Sequence, residues 1–310
     1  MAEIIITEFM DQTAVDDLAA DFEVVYDPDL VDQPDRLHDL IDAARALIVR
    51  NRTQVRGALL DAAVALKVVG RLGVGLDNID MDACRARDIA VCPATGANNV
   101  SVAEYVVTTL LTLLRGPAYG VSQAVLAGDW PRTDAIGREG SGKTLGLIGF
   151  GAIGRDVAGR AAPLGMKIVA HDPLLAADDP AWKDATSMTM DELVANADVI
   201  SLHVPLTDQT RHLIDADAIA RMKPDAILVN AARGGVVDEK ALAVALKGGK
   251  LGGAALDVFE TEPVTAQSGA HMADVPNLIL TPHIAGLTDE ANLRTSDLTA
   301  ANVRSVLEGG

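Results

Sequence analysis

Leu145–Gly–Leu–Ile–Gly–Phe–Gly–Ala–Ile–Gly154 is the stretch that decides the fold. Its first half is an apolar run of strand length, and it leads straight into G-x-G-x-x-G at Gly149, Gly151 and Gly154. Arg155–Pro163 then reads as helical, and Lys167–His171 as a second strand ending at Asp172. Gly149 permits a tight turn, Gly151 lets backbone N–H groups approach a diphosphate, and Gly154 lets helix and strand pack closely. The helix N-terminus adds unpaired N–H donors and a partial positive charge. Asp172 follows at the distance, roughly 20 residues, where a carboxylate can accept from ribose hydroxyls. Its charge would repel a 2′-phosphate, so the segment predicts NAD over NADP. Gly149, Gly151, Ala152, Ile153, Gly154 and Asp172 are the cofactor-binding candidates here.

Just upstream, Gly137–Arg–Glu–Gly–Ser–Gly–Lys–Thr144 satisfies G-x-x-x-x-G-K-[ST], the phosphate loop of nucleotide hydrolases. Such a loop needs a strand before it and a helix after it. Here Trp130–Asp134 is loop-like and Leu145–Ile148 is a strand, so the geometry is backwards and the segment reads as a turn.

Outward from the fingerprint the βα rhythm persists. Upstream strands are expected at Ile4–Thr7, Glu23–Tyr26, Ala46–Val49, Lys67–Val69 and Ile89–Cys92, with helical spacing over Arg36–Ala44 and Ala58–Ala65. Downstream strands are expected at Asp198–Leu202, Ala226–Asn230, Gly253–Asp257 and Leu278–Leu280, with a last helix over Thr288–Leu307. Ser101–Val–Ala–Glu104 has the pattern of a capping box and predicts that a long helix starts near Ser101. Alternating elements of this kind argue for parallel sheets covered by helices on both faces. With 310 residues, two doubly wound, Rossmann-like α/β domains are expected. The first is discontinuous and flavodoxin-like, 1–98 with 284–310, and carries substrate loops. The second, 99–283, holds NAD, with active-site residues facing the cleft between the two.

The composition agrees: hydrophobic residues make up 49% and aromatics only 3%, so the core is aliphatic. A net charge of −18 argues against nucleic acid and anionic membranes as partners. No apolar run reaches the roughly 20 residues of a membrane span, and the N-terminus reads as a strand without the basic start of a secretion signal. Cys84 and Cys92, the only cysteines, cannot make a disulfide framework or a zinc site alone. A cytoplasmic protein without metal is expected.

Three further segments resemble the D-isomer-specific 2-hydroxyacid dehydrogenase family: Val229–Asp238, Ala255–Pro263 and Leu280–Gly286. Val69–Gly–Arg–Leu–Gly–Val–Gly–Leu–Asp–Asn–Ile–Asp80 is similar to that family's substrate loop. The resemblance covers nearly the whole chain, with the motifs in order. It implies catalysis by Arg233, Glu262 and His283, and further cofactor contacts at Val204, Ala231, Ala232, Arg233, Asp257, His283 and Gly286. The residue types suit these roles. An arginine grips a carboxylate by a two-pronged fork, a histidine exchanges protons near neutrality, and a glutamate steadies the ring and favours its cation. His38, His171, His203, His212 and His271 have no such partners in motif and read as structural.

The Gly73–Val74–Gly75 turn resembles a backbone clamp for the substrate carboxylate, with Asp77 and Asn78 bracing it. Arg50 matches the position that contacts the phosphate in 3-phosphoglycerate dehydrogenases, and Arg52 and Arg71 are candidate neighbours. These favour a substrate with a second anionic group. Thr7–Glu–Phe–Met–Asp11 and Val49–Arg–Asn–Arg–Thr53 resemble sulfolactate dehydrogenases of the family, which makes 3-sulfolactate the first substrate expectation. Its D-like arrangement carries the label S, because a sulfomethyl group outranks carboxylate. 3-Phosphoglycerate and hydroxypyruvate, glyoxylate or glycerate are the competitors. The chain ends after the Thr288 helix, so feedback through a regulatory extension is not expected. The family also implies a homodimer with the Ser101 helix near its interface. An NAD-sensing corepressor is the alternative from another class, disfavoured by the lack of disordered arms or a basic surface.

Overall fold

The computed structural model describes residues 2–309. Residues 1 and 310, the outer limits of the first expected domain, lie outside the described residues. Asn99–Gly286 form one compact unit, and the described chain on either side of them forms another.

The chain opens with β1 (Ile4–Ile6), α1 (Gln12–Ala19), β2 (Val24–Tyr26), α2 (Pro34–Ile41), β3 (Ala46–Val49) and α3 (Gly57–Ala62), then β4 (Val68–Arg71), α4 (Met81–Ala86) and β5 (Ala90–Pro93). These strands make a parallel sheet in the order β2-β1-β3-β4-β5. Successive side chains of a strand face opposite sides, and both sides are buried. Ile5, Leu47, Val49 and Val69 pack with Leu37, Ile41, Leu60 and Cys84. Ile4, Ile6, Ala46, Ile48 and Val68 pack with Leu18, Val303 and Leu307. Burial on both faces explains why these strands are continuous apolar runs.

The second unit comprises α5 (Asn99–Arg115), α6 (Ser122–Leu126), β6 (Thr144–Ile148), α7 (Ala152–Ala161), β7 (Lys167–His171), β8 (Thr186–Ser187), α8 (Met190–Asn196), β9 (Val199–Leu202), α9 (Ala216–Arg221), β10 (Ile227–Asn230), α10 (Glu239–Lys247), β11 (Gly253–Leu256) and β12 (Leu278–Leu280). Its parallel sheet runs β12-β11-β10-β9-β6-β7-β8. The direction of winding reverses between β6 and β9, where sheets of this type bind ligands at the carboxyl ends of the strands. One face packs on α5 and α7 through Val106, Leu110 and Val157. The other packs on α8, α9 and α10 through Leu193, Ile219 and Leu242. The closing helix α11 (Asp289–Glu308) returns to the first unit.

One expectation is corrected. α5 begins at Asn99, so Ser101 is a buried residue of its first turn and not its cap. The phosphate-loop match at Gly137–Thr144 is followed by β6, a strand where a helix would be needed. Among the described residues no helix is long and apolar enough to cross a membrane.

Candidate active site

The turn after β6 is built as its glycines require. Gly149 has φ 89°, its N–H donates to His171 O at 2.9 Å, and a Cβ there would run into the His203 carbonyl. A Cβ on Gly154 would collide with Gly149 O, so α7 approaches β6 more closely than any side chain allows. Gly151 is the N-cap of α7 and has open space where its side chain would be. Ala152 and Ile153 open the helix. Asp172, at the end of β7, accepts from Phe150 N–H at 2.8 Å and Leu174 N–H at 3.0 Å. Beside it an open groove of about 370 Å³ is lined by His171, Asp172, Ser187, Met188, Thr189 and Glu192. A free helix N-terminus, an open glycine position and a carboxylate beside a groove fit a diphosphate and an adenosine ribose.

The loops after β10 and β11 and the turn after β12 bring the three expected catalytic residues onto one unit. Gly234 leaves no room for a Cβ against Phe259 O, so the loop bearing Arg233 lies directly on the loop bearing Glu262. Asn230 shapes the first loop, accepting from Ala232 N–H at 3.1 Å and donating to Arg233 O at 2.9 Å. Arg233 Nη1 donates to Ala232 O at 2.6 Å, which leaves Ala231 and Ala232 as the small residues between strand and arginine. Glu262 Oε1 accepts from Phe259 N–H at 2.9 Å, and Oε2 meets His283 Nδ1 at 2.8 Å. Burial pushes the Glu262 carboxyl up. The hydrogen bonds from His283 and Phe259 and the charges of His283 and Arg233 outweigh this and hold it below its ordinary value. Among the described residues His283 Nε2 makes no hydrogen bond, so the Glu262 contact turns that nitrogen toward whatever binds.

Asp257 builds the turn that carries His283. It is 1% exposed, and its carboxylate accepts from Thr281 Oγ1 at 2.6 Å, Ile284 N–H at 2.8 Å and Ala285 N–H at 2.7 Å. Its carbonyl accepts from His283 N–H at 2.8 Å. These bonds keep His283 at φ 57°, a left-handed conformation uncommon outside glycine. Ile284, Ala285 and Gly286 therefore belong with the second unit. Among the described residues no cluster of three or more His, Cys, Asp or Glu side chains could hold a metal ion.

Two other histidines acquire acid partners that no motif announced. His212 Nε2 lies 3.0 Å from Glu260 Oε1, and His271 Nε2 lies 3.2 Å from Glu239 Oε2. Glu239 also accepts from Glu260 N–H at 2.6 Å, so these pairs brace the Glu262 loop. Burial pushes His203, which sits 3.0 Å from Ser201 Oγ, down to about 4. It precedes Val204, whose side chain packs against the core.

In the first unit Gly73 has φ 143°. Its N–H bends back to Arg71 O at 2.7 Å, and its carbonyl accepts from Ala94 N–H at 2.9 Å. The N–H groups of Val74 and Gly75 donate to no other described residue, as an anion clamp requires. The three candidate arginines differ. Arg52 is ion-paired with Asp32 on the surface, Arg71 Nη1 donates to Leu72 O at 2.6 Å, and Arg50 Nη2 donates to the neutral Asn292 Oδ1 at 2.5 Å. Asn78 braces the Arg50 loop through bonds to Thr53 O at 2.7 Å and Arg50 O at 3.3 Å.

Residues 107–285 match the family model described as D-isomer specific 2-hydroxyacid dehydrogenase, NAD binding domain. The chain is 55% identical over 308 residues to a protein of Chromohalobacter salexigens named (S)-sulfolactate dehydrogenase, covering 99% of each. It is 35% identical over its full length to a D-3-phosphoglycerate dehydrogenase of Synechocystis, of which it spans only 55%. The fold matches a crystal structure of D-lactate dehydrogenase from Aquifex aeolicus complexed with NAD and lactic acid. The TM-score is 0.87 at 30% identity, covering 99% of this chain and 96% of that one. The chain belongs to the D-isomer specific 2-hydroxyacid dehydrogenase family, oxidoreductases of CH–OH groups, and residues 107–285 are its NAD-binding domain.

Proposed function

We propose that this protein is a cytoplasmic homodimer that interconverts (S)-3-sulfolactate and 3-sulfopyruvate with NAD. The observation that carries the substrate is the 55% identity, across 99% of both chains, to a protein named for that reaction. The state of the arginines supports it: among the described residues Arg50 has no carboxylate in an ion pair, so its charge is available to a sulfonate. The dimer is supported by a run of exposed apolar side chains, Tyr119 at 69%, Leu126 at 80%, Trp130 at 74% and Ile136 at 72%. Apolar surface of this kind favours burial against a second surface.

Gly149, Gly151 and Gly154, with Asp172, would hold the cofactor, and Val204, Ala231, Ala232, Asp257 and Gly286 would frame its reactive end. The cofactor, when bound, would supply an acceptor for the C2 hydrogen and its electron pair. Arg233 would hold the substrate carboxylate and polarise C2–O. The free N–H groups of Val74 and Gly75, beyond the Gly73 turn, would share that carboxylate. His283 Nε2 would take the C2 hydroxyl proton in oxidation and return it in reduction. Glu262 would fix the ring through Nδ1 and stabilise the imidazolium that forms. Arg50 would meet the sulfonate, with Arg71 contributing charge nearby, while Arg52 stays paired with Asp32.

Initial rates of NADH formation with (S)-3-sulfolactate, 3-phosphoglycerate, glycerate and D-lactate test the reading. Sulfolactate should exceed glycerate in kcat/KM by about tenfold or more, the worth of one charge-assisted bond. Equal rates for the two would remove sulfolactate as the substrate.

A further inference from the structure

The order β2-β1-β3-β4-β5 reverses its winding between β1 and β3, so the loops leaving these two strands flank the ligand-binding position of the first sheet. The β1 loop brings Glu8 and Phe9, and the β3 loop brings Arg50–Thr53. Glu8 is 5% exposed, and its whole carboxylate is spent on the other loop. Oε1 accepts from Arg50 N–H at 2.9 Å and Thr53 N–H at 3.0 Å. Oε2 accepts from Arg52 N–H at 3.1 Å and Asn51 N–H at 3.3 Å. Burial pushes the Glu8 carboxyl up, but the N–H groups of Thr53, Arg50 and Arg52 outweigh it and leave it below its ordinary value. Thr7 Oγ1 meets Thr53 Oγ1 at 2.8 Å and closes the far end of the loop.

Four consecutive N–H groups converging on one point form a nest for an anion. Here an internal carboxylate fills it, so the loop's backbone is withheld from any external anion and selection falls to its side chains. Arg52 is committed to Asp32. The Arg50 guanidinium lies over the Phe9 ring, 5.5 Å from its centroid, and is tied to Asn292 on α11. An asparagine at that place orients the cation without cancelling it, whereas an aspartate would cancel it.

We propose that Glu8 and Asn292 are the positioning residues of a selectivity arm for a second acidic group at C3 of the substrate. Glu8 fixes the backbone from which Arg50 departs, and Asn292 sets the direction of its guanidinium while leaving its charge for the ligand. The proposal rests on the sulfolactate reading.

The test is the ratio of kcat/KM for 3-sulfopyruvate to that for hydroxypyruvate, which carry sulfonate and hydroxyl at the same carbon. Asn292→Asp, nearly identical in shape, should lower this ratio about tenfold or more, and Glu8→Gln about tenfold, the worth of a bond to a charged group. Glu8→Asp should fall between Glu8→Gln and the unaltered chain. A ratio within about twofold of the unaltered protein in Asn292→Asp overturns the role of Asn292. A Glu8→Gln variant whose ratio stays within about twofold overturns that of Glu8; should it fail to fold, Glu8→Asp decides by the same ratio. Arg50→Ala separates the two levels. If it lowers the ratio and the other variants do not, the positioning proposal falls and the sulfolactate reading stands. If it leaves the ratio unchanged, the arm itself falls, and the sulfolactate reading is decided by the substrate panel alone.

Discussion

Glu262 and His283 illustrate how one side chain is prepared by another. The carboxylate is held on one oxygen by the backbone of its own loop, so its other oxygen has little freedom, and the imidazole it meets at 2.8 Å inherits that order. Replacing His283 by alanine should lower kcat by about 10²- to 10⁴-fold, the usual worth of a positioned proton-transfer group. NADH affinity, followed by fluorescence titration, should fall far less than turnover; unchanged turnover would remove His283 from the reaction. The lowered Glu262 carboxyl carries a sign. Its ionised form is favoured in the folded chain, so its contribution to stability is complete above the ordinary value of 4.5 and is lost as pH falls through the lowered one. Acid denaturation of Glu262→Gln, set beside that of the unaltered chain, should show the difference shrinking only below pH 4.5. A difference that vanishes above that value would contradict the assignment.

Between elements, α11 lies tightly on β4. A Cβ on Gly70 would come within 2.7 Å of Val303 Cγ2 and 2.9 Å of Thr299 Cγ2. Gly70→Ala should therefore destabilise the chain by about 1–3 kcal/mol in urea unfolding, as overpacked cores do. Val303→Ala in the same chain should recover part of that loss, and no recovery would place the strain elsewhere. The strands of both sheets were legible in the sequence because burial on two faces leaves continuous apolar runs such as Ile4–Ile6 and Ala46–Val49. The start of α5 was not. Ser101–Glu104 has the local pattern of a cap, but Ser101, Val102 and Ala103 are buried in the helix itself, and burial of an apolar face outweighs a capping preference. β8, two exposed residues long, carries no apolar run to be seen. Of the site, Arg233, Glu262 and His283 were visible as motif. Glu8 stood within a quoted stretch without a role, because its partners are backbone N–H groups 42 to 45 residues away that no pattern of side chains encodes.

For the whole molecule, the exposed apolar side chains of Tyr119, Leu126, Trp130 and Ile136 set an expectation about assembly. Light scattering should give the mass of a dimer, and Leu126→Glu with Trp130→Glu should shift it to the 32.3 kDa of one chain. A monomer without substitution would refute the homodimer. Global stability also bears the cost of the turn that carries His283. His283 keeps its φ of 57° only because Asp257 holds the segment on both sides, and a left-handed residue with a bulky side chain costs roughly 1–2 kcal/mol. Asparagine tolerates that conformation, and the Glu262–His283 contact it would forfeit is half-exposed and worth about 1 kcal/mol or less. His283→Asn should thus melt no lower than the unaltered protein while losing turnover. A directed-evolution campaign scored on heat resistance alone would then enrich for inactive proteins, and only a screen that also scored turnover would keep a histidine in that turn.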